Sequence, residues 1–142
     1  MADVEQSLSV TEISQDVDKN TSQVRILWKS TQDADSFNLN TRTAKYYVSI
    51  NGGAEEEYSV SYTLPAGTTK TILDKTIPVF HKSDGTATIR VRTWMDTKIS
   101  VGVVEKDSGV VTLTPIARAS KITSFSPTTA KVGSALKVNW KP

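Results

Sequence analysis

The chain has one histidine, His81, and it stands three positions before Asp84 in the stretch VFHKSDGTATIRVRTWMD (79–96). An imidazole is the side chain best suited to general-base work near neutral pH, and a carboxylate close by can orient it. A hydrolase built on that pair also needs a nucleophile set against the base, and no G-x-S-x-G elbow occurs in the sequence. The same residues spell a turn. Asp84 can accept backbone N–H groups inside HKSDG, Gly85 can take a left-handed φ, and His81 can hydrogen-bond across a corner where one sheet passes to another. We therefore expect His81, Asp84 and Gly85 to form a structural corner, with no catalytic residue.

The second constellation lies a few residues on. Alternation in TIRVRTWMD turns Ile89 and Val91 inward and sets Arg90, Arg92 and Trp94 together on the opposite face. Such a trio suits a contact with another subunit, a solvated cation–π ladder, or a platform on which sugar rings stack. Tyr47 extends it if its strand is a neighbour. Metal binding has little support. In DADSFN, Asp33, Asp35 and Asn38 resemble calcium ligands, but a twelve-residue loop would place Asn38 and Ala44 where glycine and glutamate are needed. No metal and no cofactor are expected. The acidic run Glu55, Glu56, Glu57 reads as solvation of a hairpin, and the Asn20-Thr-Ser triplet is not read as a glycosylation site.

These residues need strands to position them, and period two dominates the chain. Val24, Ile26 and Trp28 share one face, as do Tyr46, Val48 and Ile50, then Tyr58, Val60, Tyr62 and Leu64. Asn51-Gly52 marks a hairpin turn able to take positive φ. Further strands are expected at 7–14, 69–79, 86–94, 99–105 and 109–115, with KDSG (106–109) turning between the last two. No window carries a helical stripe. Eight short strands, rich in threonine, valine, serine and tyrosine, predict an all-β antiparallel sandwich, immunoglobulin-like or jelly-roll, over residues 1–115.

Near residue 116 the pattern changes. Residues 116–121 read as a linker. Residues 122–142, with Ile122 and Phe125 and then Leu136, Val138 and Trp140, read as the first strands of a second immunoglobulin-like module. Two strands cannot bury such a face alone, so the natural protein is expected to continue.

A length of 142 residues and a net charge of +2 fit a soluble domain and argue against nucleic-acid binding by bulk electrostatics. The charge is unevenly placed. Five carboxylates lie in residues 3–18, and beyond Asp107 every charged residue is basic. With no cysteine, disulfides, thiolate metal sites and thiol catalysis are excluded. Without a signal core or a long apolar run, membrane insertion is not expected, and the protein is expected to be made in the cytoplasm.

The stretch IPVFHKSDGTATIRV resembles a V-x-H-x-x-D-G signature of structural proteins from long-tailed phages of Gram-positive hosts such as streptococci. The segment RTWMDTKISVGVVEKDSGVVTLTPIARAS, ending in its Leu-Thr-Pro-Ile-x-Arg-Ala-Ser linker, resembles the strand pair and linker that succeed this signature in those proteins. Together the likeness covers residues 24–120. It departs at Lys82-Ser83, where an asparagine often comes after the histidine. Separately, ITSFSPTTAKVG is similar to the opening of immunoglobulin-like repeats. The resemblance implies a virion component at the tail tip, baseplate or fibre, built from sandwich modules in series; no enzymatic activity is expected, because the carboxylate-rich segments fall in loops and termini without a paired cleft signature. Its implied partners are other phage tail proteins and further copies of itself, as in a trimer. A host cell-wall polysaccharide, bound through the Arg/Trp face, is the alternative.

Overall fold

The computed structural model describes residues 4–33, 39–98 and 101–117. The order is β1 (Val4–Asp16), β2 (Thr21–Gln32), β3 (Leu39–Ile50), β4 (Glu56–Leu64), β5 (Thr69–Phe80), β6 (Thr88–Asp96), β7 (Val103–Asp107) and β8 (Val111–Thr112). Among the described residues there is no helix, so none is long and apolar enough to cross a membrane. All pairings are antiparallel and form two sheets. One has the order β1-β2-β5, and the other β4-β3-β6-β7 with β8 also on β6. The chain is an all-β sandwich, as the alternation predicts. With strands two and five in one sheet and three and six in the other, the order is that of immunoglobulin-type sandwiches, which decides against the jelly roll.

The two inner faces make the core. From β2 come Val24, Ile26 and Trp28, all fully buried, and from β6 Ile89, Val91 and Met95; Ala44, Tyr46 and Val48 come from β3, and Leu64 from β4. Burying each large apolar side chain contributes about 1.5–3 kcal/mol. A buried indole needs a partner for its N–H. Trp28 Nε1 donates to Gln6 Oε1, and Gln6 Nε2 donates to Ser30 Oγ at 2.7 Å.

Two bulges change what the sequence predicts. KDSG is not a turn between two strands of a hairpin, because β7 and β8 run the same way along one edge of β6. Asp107 stands opposite Arg92 and Val111 opposite Ile89, so three residues face two. One strand has been interrupted by a bulge rather than reversed. Gly109 adopts φ +70°, and Ser108 Oγ accepts from Val91 N–H, closing the gap in the ladder with a side chain. The second bulge falls between Glu12 and Ser14 on β1, where the register against β2 shifts and leaves Ile13 exposed. The sixth strand also starts at Thr88 rather than residue 86, since Thr86 N–H and Oγ1 are both engaged by Asp84 Oδ1. The final segment stays attached past β8: Leu113 N–H donates to Ala87 O, and the buried Ile116 donates to Gly85 O at 2.9 Å.

Candidate functional site

Along β6 the alternation is regular. Ile89, Val91, Thr93 and Met95 point into the core, and Arg90, Arg92 and Trp94 point out. On β3, buried Ala44, Tyr46 and Val48 leave Lys45, Tyr47 and Ser49 outward. The two strands pair with Tyr47 opposite Arg92 and Lys45 opposite Trp94. The structure thus brings Arg90, Arg92, Trp94 and Tyr47 onto one outer sheet face. Arg92 lies over the Tyr47 ring at 4.8 Å, and Lys45 Nζ over the Trp94 ring at 5.7 Å. Trp94 is half-buried rather than open.

Both guanidinium forks are filled. Arg92 donates through Nε and Nη2 to the two oxygens of Glu55 at 2.6 and 2.8 Å. Arg90 makes the same bidentate contact with Asp107, through Nε at 3.0 Å and through Nη2. The hydrogen bond from Arg90, then the Gly109 N–H, pulls the Asp107 carboxyl down to about 2. The bond to Glu55 raises Arg92 above the usual arginine value, and that to Arg92 lowers Glu55. Lys45 also reaches Glu57 at 3.5 Å. Exposed pairs of this kind add little stability, but they hold planar side chains in fixed places. An anionic ligand would have to displace a carboxylate from each arginine. A partner supplying rings, hydroxyls or peptide groups would not. Beside the face lies an open depression of about 380 Å3, lined by Ser49, Gly53, Glu55, Thr88, Arg90 and Arg92 among others.

The His81 corner lies elsewhere, where β5 leads toward β6. His81 is 7% exposed. Its Nδ1 meets Gly85 O at 2.7 Å, and since a carbonyl only accepts, Nδ1 carries a proton. Its Nε2 meets Ser22 Oγ at 2.7 Å, and that hydroxyl donates to Glu12 Oε2 at 2.6 Å. Gly85 has φ +89°, and Asp84 Oδ1 accepts from Thr86 N–H at 2.9 Å. Asn20, at φ +57°, spends its side-chain amide on the carbonyls of His81 and Lys82. Burial pushes the Glu12 carboxyl up, but hydrogen bonds from Ser22, Thr114 and Gln15 outweigh it and leave the group below its ordinary value.

Sequence reasoning missed Glu12 and Ser22. A signal existed for the glutamate. Val4, Leu8, Val10 and Glu12 share the inward phase of β1, and an inward glutamate requires a partner. Ser22, 59 positions from His81, gave none. The trio contains acid, hydroxyl and imidazole, but the hydroxyl is in the middle, whereas nucleophilic triads centre the imidazole. Ser22 is fully buried. Asp35 and Asn38 of the calcium reading, and the strands expected in 122–142, lie outside the described residues. Among the described residues no three His, Asp or Glu side chains gather to hold a metal ion.

No curated protein and no solved structure matches the chain. A family model does match, over residues 4–142, and its description is a siphovirus protein of unknown function (DUF859). Covering nearly the whole chain, that match extends beyond the corner and the outer face to include the C-terminal residues, and the chain belongs to this siphovirus protein family.

Proposed function

We propose that this virion-associated siphovirus protein is a non-enzymatic structural module of the phage tail, at the tip, baseplate or fibre. Its task is to connect neighbouring subunits through the outer face of β4-β3-β6-β7. The observation that carries this reading is the ordered face itself. Tyr47 and Trp94 each lie under a cation, and Arg90 and Arg92 are each held by a carboxylate. Arginine and aromatic residues are enriched at protein interfaces, and side chains fixed in advance lose little entropy on docking. The seat of Ser22 and His81 inside the sandwich supports a role without covalent chemistry. Gold-labelled antibody to the chain, applied to intact particles, is expected to mark the tail end. Label on the head alone, or particles lacking the protein, would refute the proposal.

The depression beside the face favours a second reading, a host-recognition module for a Gram-positive cell-wall polysaccharide. Its hydroxyl, carboxylate and guanidinium lining matches the groups that bind sugar hydroxyls. On that reading the chain co-sediments with purified wall polysaccharide, and Trp94→Ala abolishes this while the fold persists. An assembly module shows no such binding and is instead captured by another tail protein or by further copies, for instance as a trimer.

A further inference from the structure

Among the described residues the two sheets end in four edges, formed by β1, β5, β4 and the β7–β8 strand. A regular edge offers a row of unpaired N–H and C=O groups to any extended chain, and folded proteins blunt such edges with bulges, proline and inward-pointing charge. Three of these edges are blunted. On β1 the extra residue Ile13 breaks the pairing with β2, and residues 108–110 part β7 from β8. On β5 the extra residue is Ile72, and Pro78 has no N–H to give. Lys75 of β5, opposite the buried Ile26, stands in the inward phase with its Nζ over the Tyr58 ring at 5.9 Å. The fourth edge differs. β4 has neither bulge nor proline, and from Glu56 to Tyr62 it matches β3 residue for residue. Where the register shifts beyond Tyr62, the extra residue lies on β3. Tyr58 is 39% exposed, and Glu57, Ser59 and Ser61 are exposed on the outward phase.

We infer that β4 pairs antiparallel with β4 of a second copy of this chain, joining two β4-β3-β6-β7 sheets into one. The sequence of the strand selects this occupant. When all nine residues of EEYSVSYTL overlap, Val60 meets Val60 of the second copy on a two-fold axis, Tyr58 meets Tyr62, and Ser59 meets Ser61. Opposed residues then share a phase, so inward side chains of one copy lie beside inward side chains of the other. The carboxylates also stay apart. Glu56 and Glu57 come to opposite ends of the junction, against Leu64 and Thr63, whereas a register centred on Glu57 would oppose like charges. The junction uses no residue of the Arg90, Arg92 and Trp94 face, so it is independent of the role proposed for that face.

Sedimentation of the 142-residue chain over a range of concentrations tests this. The parent is expected to pass from 15.5 kDa to twice that mass as concentration rises. Ser59→Glu/Ser61→Glu sets like charges directly opposite at two places and should raise the dissociation constant about tenfold. Ser59→Glu/Ser61→Lys makes the same two places opposite in charge and should restore the dimer. Both serines are exposed, and Ser59 stands opposite Lys45 within the sheet, so the sandwich should fold in each variant, as unchanged circular dichroism would verify. Three results overturn the inference: a parent that stays monomeric at every concentration, an assembly larger than a dimer, or two variants that behave alike.

Discussion

At the scale of single residues, the Ser22 hydroxyl is the member of the buried network with most to lose. It has one proton and stands between a carboxylate and an imidazole nitrogen, so it works as a spacer that fixes both. Ser22→Ala leaves Nε2 of the buried His81 without its hydroxyl partner, while Glu12 keeps Gln15 and Thr114, and should cost about 1–3 kcal/mol, read as a lower urea midpoint. An unchanged midpoint would show that the corner does not depend on it. Acid should act in the same direction. Glu12 and Asp107 both have folded-state values below the unfolded ones, so their stabilisation is full above the ordinary carboxylate range and is lost as pH falls through the folded values. Melting temperature should therefore drop as pH goes from about 4 to about 2, and Glu12→Gln/Asp107→Asn should flatten the drop. Parallel curves for parent and variant would contradict this. The corner around His81, Asp84 and Gly85 was legible because turn chemistry is local in sequence. Its far side was not, since Glu12 and Ser22 join it only through the pairing of β1, β2 and β5.

At the scale of elements, the strands were legible wherever apolar residues recur every second position. Val24, Ile26 and Trp28, or Ile89 and Val91, declare both the strand and its buried face. The bulge at residues 108–110 was not legible, because Asp-Ser-Gly has the composition of a turn and local sequence does not say whether the strand beyond it reverses. The ladder to β6 decides that. The bulge also sets up the outer face. It puts the Gly109 N–H on the Asp107 carboxylate at 2.8 Å, and the same carboxylate holds Arg90. A Cβ at Gly109 would meet nothing within 4 Å, so substitution there tests backbone conformation alone. At φ +70° Gly109→Ala should cost about 1–2 kcal/mol, with an unchanged slope in urea. A neutral substitution would mean the bulge relaxes without loss. Tyr47 illustrates the same limit, because its place beside Arg92 depends on sheet order, which alternation does not encode.

At the scale of the whole molecule, the sandwich has two outer sheet faces: among the described residues that of β3 and β6 sets Tyr47 and Trp94 under cations beside two paired arginines, whereas the opposite face carries the Arg25–Asp74 pair and no ring under a cation. Lys45 stands on the β3–β6 face, while Lys29 is exposed on the outer side of the opposite sheet. This asymmetry gives the account its most direct test, which is lysine cross-linking of intact phage particles with peptide identification. The account predicts cross-links from Lys45 to another tail protein or to a second copy of this chain, with Lys29 forming few or none. Cross-links from Lys29 with Lys45 left solvent-reactive, or a particle free of this protein, would contradict it.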